Sequence, residues 1–308
     1  MAGRSTLLDR HATALERVEE AQARQVAAAY RKARQEILDR LVTRWHGTDL
    51  LTPEQAASLL RQSGLLQQID ARLLQLEAEL GVNLRSIVTS SSELALEQVR
   101  QELALLPASL RPGPQMFGTI NTRMIERFVP VAMQDVQLGT RSLSLTLQRE
   151  LQTGLIQGQS FDSLVKRVMS ATPGDLGVSV WRRGEVSAEL ATRRLVITAE
   201  NMSKQAALEE VHQELPEVQK QWISAIGPNT TDCCLRAHGQ IQPLDQPFEL
   251  TGTPRFADQL MSPPGHWNCR SSIALYHPIF ERGGLTTANM RKSAAAQLAK
   301  SRDAKGGN

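Results

Sequence analysis

What this chain lacks narrows it quickly. It has three cysteines in 308 residues, Cys233, Cys234 and Cys269. The number is odd and two are adjacent, which argues against a disulfide framework and for a cytosolic chain with reduced thiols. Metal binding, catalysis or plain burial remain as uses for the sulfurs. No run approaches the roughly 18 apolar residues that a membrane span needs. The opening MAGRSTLLDRHATALERVEE also has no apolar stretch of signal-peptide length. An excess of one charge is missing too. The formal net charge is only +3, so no global basic field points to nucleic acid. Aromatic residues make up 4%, and with Ala, Leu, Gln, Arg and Glu abundant, the composition predicts helix rather than sheet.

Proline is scarce where it would do most damage. Of 14 prolines, Pro53 alone precedes residue 107, whereas eight lie between 216 and 278. Proline removes a backbone donor and breaks helices. The first third is therefore expected to be long helices, and the last quarter loops and short strands. Leu15, Val18, Val26, Tyr30, Ala33, Ile37 and Leu41 follow three-four steps and predict a first helix over about 7–45. Thr52, Pro53 and Gln55 form a helix-start signature. Leu66, Ile69, Leu73, Leu76 and Leu80 make a second stripe, with Gly81 placed as its stop. Further helices are expected over about 92–106, 119–134, 137–157 ending at Gly158, a segment capped by Ser160, and 185–213. The stretch ATPGDLGVSVW reads as a loop, and GQIQPL and SSIALYHP as strand-prone pieces.

The expected fold is thus mainly α, with a small, loop-rich α+β module near the C-terminus. The punctuation divides the chain into a helical assembly region at 1–106, a linker at 107–118 and a central helical domain at 119–215. A Cys/His module at 216–280 and a basic tail at 281–308, expected as disorder or a loose helix, follow. That tail has six Lys/Arg from Arg282 onward against Asp303 alone; it is the expected contact for DNA.

The module holds the chemistry-bearing residues. In TTDCCLRAHGQIQPL, Cys234 and His238 stand four apart; in SPPGHWNCRSSIA, His266 and Cys269 stand three apart. Two Cys-His pairs flanking a loop supply the ligand types and number of a tetrahedral zinc site. A structural zinc would suit a module of about sixty residues with few large apolar side chains. Buried cysteines with histidines bonded to loop carbonyls fit the same residues. A cysteine nucleophile, Cys234 or Cys269, with His238 or His266 as base can also be drawn. So can a histidine-asparagine nuclease using Asp232, His238, His266 and Asn268. Trp222 and Trp267 read as core anchors, and Arg270 as a partner for loop carbonyls or a carboxylate.

Taken together, Trp222, DCCLRAHGQI and PPGHWNCRSSI resemble the C-terminal signature of the phage head-morphogenesis family, the Mu-F-type minor capsid proteins. Trp222, Cys234, His238, Gly239, Pro263, Pro264, His266, Asn268, Cys269 and Arg270 fit the pattern. More weakly, LQRELQTGLIQGQSFDSLVKRV and RRLVITAENMSKQAALEE resemble its upstream helices, so the likeness covers about 120–278. Two positions depart from it: Thr231 stands where many members have the first cysteine of Cys-x-x-Cys, and Ser271 where they end Cys-Arg-Cys. The resemblance implies a structural protein rather than an enzyme. It would be a minor component of a phage or prophage particle, associated with the portal and other head proteins and acting in procapsid assembly and in DNA packaging or ejection. It would reside in the virion, and in the host cytoplasm during assembly, with no membrane partner. The rival class is a metal-dependent nuclease, or a zinc module binding nucleic acid, built on the same Cys/His cluster.

Overall fold

The structure, a computed structural model, describes residues 2–45, 55, 58, 64–113, 117–157, 159, 161–170, 180–250, 258–266, 269–283 and 286–306. Seven helices dominate these residues: α1 (Ala2–Trp45), α2 (Leu65–Leu103), α3 (Ile120–Ile156), α4 (Phe161–Ser170), α5 (Val180–Glu214), α6 (Asp232–Ala237) and α7 (Thr287–Gly306). The strands are short: β1 (Gln219–Ser224), β2 (Ile241–Gln242), β3 (Phe248–Glu249), β4 (Gln259–Leu260) and β5 (Ser271–Tyr276). β1 is the centre of an antiparallel sheet ordered β2-β1-β5, and β3 pairs with β4. The chain is mainly α with a small α+β part near its C-terminus, as the composition and the proline distribution predict. No helix among the described residues is long and apolar enough to cross a membrane.

The first helix follows its stripe, with Leu15, Val26, Tyr30, Ala33, Ile37 and Leu41 all buried. Two other expectations fail, each for a packing reason. Gly81 does not end a helix, because α2 runs through it. Leu80, Leu84, Ile87 and Val88 keep the buried stripe going past that point. A Cβ on Gly81 would stand 3.0 Å from the Met133 sulfur, the flexible end of that side chain. The expected break near 134–137 is also absent: α3 is continuous and carries Pro130 inside it. Val129, Leu143, Leu147 and Leu151 stay buried along that helix, and burial of an apolar face outweighs local propensity. The tail, expected as disorder or a loose helix, forms α7. Met290, Ala294 and Leu298 recur at intervals of four; the last two are buried and Met290 packs on Leu8, Ile223 and Ala274. Thr52, Pro53, Gly158, Ser160, Trp267, Asn268 and the loop over 171–179 lie outside the described residues, while Gln55 is helical.

Two compact units result, and neither is continuous in sequence. One combines Met1–Ala21, Ser86–Phe128 and Arg193–Asn308; the other combines Gln22–Arg85 and Val129–Thr192. In the second, Arg72 is fully buried and engages Glu36, with Glu79 3.6 Å away. Asp70 accepts from Gln148 at 2.8 and 2.9 Å and from the Ser144 hydroxyl.

The first unit holds the sheet, and its packing explains several buried polar residues. β5 is an edge strand, and an unpaired edge buried in a protein leaves costly orphan groups. Side chains from helices close it instead. Asn201 of α5 accepts from Ile273 N–H (2.8 Å) and donates to the Ser271 carbonyl (3.1 Å). Arg4 of α1 donates to the Leu275 carbonyl at 2.6 Å and to Gln221 at 2.9 Å. Glu102 of α2 accepts from Leu275 N–H at 2.5 Å and meets His11 Nδ1 at 3.1 Å. Lys204 bonds Glu200 at 2.7 Å and Ser272 at 2.8 Å, and Ser272 donates to Glu200 at 2.7 Å.

Candidate functional site

Antiparallel pairing of β1 with β5 sets Ser224, the last residue of β1, opposite Ser271, the first of β5. Whatever follows β1 and whatever precedes β5 must therefore leave from the same end of the sheet. The cysteines lie in those two segments, Cys234 ten residues after β1 ends and Cys269 two before β5 begins. The pairing brings them together: Cys234 Sγ is 3.9 Å from Cys269 Sγ and 3.2 Å from His266 Nε2. Cys233 joins them, its sulfur and those of Cys234 and the His266 imidazole all lying within 4.8 Å of one another. All three cysteines are free thiols and buried.

Ser224 is the hub that fixes this end. Its hydroxyl donates to the Cys234 carbonyl (2.8 Å) and accepts from Trp222 Nε1 (3.0 Å) and the Ser271 hydroxyl (3.1 Å). Trp222 is buried edge-on against Phe248, with centroids 5.2 Å apart, and acts as the expected core anchor. Gly239, at φ +80, lets the chain turn back after α6; its N–H donates to the Trp222 carbonyl at 2.8 Å. Cys269 N–H donates to the His266 carbonyl at 3.1 Å, closing the second half of the arrangement.

His238 takes a different place from the other candidates. Its Nδ1 accepts the Ser224 backbone N–H at 3.0 Å, which assigns the proton of a neutral ring to Nε2. Burial, helped by the nearby Arg291 guanidinium, pulls its pKa down to about 4, so the ring is neutral at physiological pH. It lines a cavity of about 380 Å³ together with Asp9 and Glu16 of α1 and Asn289 and Gln297 of α7. None of the three cysteines lines that cavity.

The two positions that depart from the resemblance sit against the thiols. Thr231 Oγ1 lies 3.0 Å from Cys233 Sγ and 3.1 Å from His266 Nε2. Ser271 bonds to Cys269 through both its hydroxyl and its backbone. The Cys234–Cys269 contact and burial push the Cys234 thiol well above its usual range. The same contact, with the Gly265 and Ser271 bonds, holds Cys269 low against the effect of burial. A buried, protonated Cys234 is poorly suited to nucleophilic attack. Arg270 reaches carboxylates, with Nη1 2.6 Å from Glu16 and Nε 3.7 Å from Glu19.

The residues that hold this frame without appearing among the sequence candidates are Ser224, Asn201, Arg4 and Glu102. One signal was available for Asn201 and Glu200: polar residues on a helix face that otherwise reads Val196, Ala199, Ala207, Leu208 and Val211, all buried. Nothing local marks Ser224.

Comparison with known proteins agrees with the signature. Residues 146–274 match the family model described as Phage Mu protein F like protein. The match spans every cysteine and both histidines of the candidate site. No curated protein and no solved structure matches this chain. From within α3 into β5, residues 146–274 are thus similar to the phage Mu protein F-like family.

Proposed function

We propose that this protein is a minor structural component of a phage or prophage head, recruited beside the portal during procapsid assembly and retained in the virion. The observation that carries this reading is the match over 146–274, because it contains the whole Cys/His end of the sheet. The long helices supply the assembly surface. The sheet, α6 and the thiol cluster form a rigid, non-catalytic knob in which the segments after β1 and before β5 are clasped. The buried thiols and their absence from the cavity lining favour this role over catalysis. In α7, exposed Lys292, Lys300 and Arg302 supply a basic face for packaged DNA, whereas Arg291 is bonded to the His238 and Arg236 carbonyls.

Co-expression with a phage portal protein, taken from the same genome, tests the reading. A stable complex that enters procapsids is expected, and mass spectrometry of purified particles should find the chain in few copies per portal. Absence from the particles, combined with plasmid cleavage that requires His238, would replace this reading with the nuclease one.

A further inference from the structure

We propose that Cys233, Cys234, His266 and Cys269 bind one zinc ion, with Cys233 rather than His238 as the fourth ligand. The inference does not rest on the head-assembly reading and would hold whatever the protein assembles with.

The geometry of the sulfurs and the imidazole carries it. A tetrahedral zinc with Zn–S near 2.3 Å and Zn–N near 2.0–2.1 Å sets ligand atoms about 3.8 Å apart for S···S and about 3.5 Å for S···N. Cys234 Sγ stands 3.9 Å from Cys269 Sγ and 3.2 Å from His266 Nε2, and the sulfurs of Cys233 and Cys234 and a ring nitrogen of His266 lie within 4.8 Å of one another. Thiols gain little from clustering in apolar surroundings, since S–H is a weak donor and sulfur a weak acceptor. Cys233, Cys234 and His266 stand together as a thiophilic cation requires, and Cys269, beside Cys234, is the thiol at hand to complete the set.

The chain itself explains why His238 is not in the set. Its Nδ1 is held by the Ser224 N–H, and its ring faces the cavity shared with Asp9 and Glu16. Cys233 occupies the vacated role because α6 starts at Asp232, which puts two successive sulfurs in the first turn of the helix facing the loop with His266. Thr231, 3.0 Å from Cys233 Sγ, has one hydroxyl proton to give and can donate it to that sulfur, the kind of outer hydrogen bond that steadies metal thiolates. On binding, each cysteine thiol loses its proton to solvent as its Zn–S bond forms, and His266 offers the Nε2 lone pair.

The test uses full-length protein purified under reducing conditions without chelator. Elemental analysis should give about one zinc per chain, as expected for a single structural site. Replacement by Co2+ should produce the thiolate-to-cobalt charge-transfer absorption and the visible bands of a tetrahedral site. Cys233→Ser, Cys234→Ser and His266→Ala should lose the metal, while His238→Asn should keep it. Because a ligand variant can fail to fold, zinc release from the wild-type protein on titration with a mercurial thiol reagent gives an independent readout. Release should be complete when three thiols per chain have reacted. Wild-type protein without zinc and without a cobalt spectrum overturns the proposal. So does a thiol count of one per denatured chain, which would mark a Cys234–Cys269 disulfide. Metal kept in Cys233→Ser and lost in His238→Asn would overturn the ligand set.

Discussion

Asn201 of α5 pairs with Ile273 of β5 as a neighbouring strand would, accepting its backbone N–H at 2.8 Å. The same amide donates to the Ser271 carbonyl at 3.1 Å and to its own helix at Ile197, 2.9 Å. One side chain thereby supplies two of the hydrogen bonds that a missing strand would have made. An orphaned buried polar group costs about 1–3 kcal/mol. Asn201→Leu should therefore destabilise the protein by about 2–4 kcal/mol in urea unfolding, as two strand groups lose their partners. A loss below about 0.5 kcal/mol, the scatter of ordinary surface substitutions, would show that β5 does not depend on this contact.

The neutral His238 gives a pH signature. Its folded pKa of about 4 lies below the ordinary 6.5, so between those values the unfolded chain binds more protons. Its contribution to stability is fully present above pH 6.5 and falls away as the pH drops from 6.5 towards 4. In His238→Asn the side-chain oxygen can still accept the Ser224 N–H, but nothing titrates. Melting temperatures followed from pH 7 to 4 should fall less for that variant than for the wild type.

Glu102 acts lower on the pH scale. Burial raises its pKa, but the His11 hydrogen bond, the charges of Lys204 and His11 and the Leu275 N–H outweigh burial and leave it below 4.5. The stability it supplies is present above pH 4.5 and is lost as the pH falls through the folded value. Glu102→Gln should be less stable at neutral pH, since an amide cannot replace the charge facing His11 and Lys204. Its stability should also change less with pH below 4.5, and chemical unfolding at several pH values separates the two effects.

Two glycines should respond oppositely to alanine. At Gly239 the backbone is left-handed, and a Cβ would meet the Thr287 Cα at 3.2 Å and the Met290 Cβ at 3.0 Å. Gly239→Ala should cost about 1–3 kcal/mol through αL strain and the close backbone. At Gly81 the helix is regular, and the nearest obstacle is the flexible end of Met133. Gly81→Ala should be neutral or stabilise by up to about 1 kcal/mol, the helix-propensity difference. Thermal melts of both variants check the contrast; equal losses would contradict it.

How much of this was legible depends on the range of the interaction. The α1 stripe could be read because each step depends on residues three or four away. The Gly81 stop could not, since burial of Leu84, Ile87 and Val88 beyond it carries the helix through. The tail read as disorder or a loose helix because Met290, Ala294 and Leu298 are too few to suggest a core, until Leu8, Ile223 and Ala274 receive Met290. At the site, spacing named the right segments and three of the clustered residues, Cys234, His266 and Cys269. It favoured His238 over Cys233, because adjacent cysteines rarely both reach one ion, whereas the fold sets Cys233 with Cys234 and His266 and bonds His238 to Ser224.

The sequence by itself determined which elements exist and where the chemistry is concentrated. Helical periodicity, proline placement and residue type are local properties, and they survive without knowledge of the fold. Only the tertiary structure decided which groups meet. Antiparallel pairing of β1 with β5 set Ser224 opposite Ser271 and drew two remote thiol segments to one end of the sheet. It also left an edge that Asn201, Arg4 and Glu102, from three different helices, had to satisfy. A buried backbone group must find a partner, and which side chain provides it is fixed by packing across distances that no local pattern records.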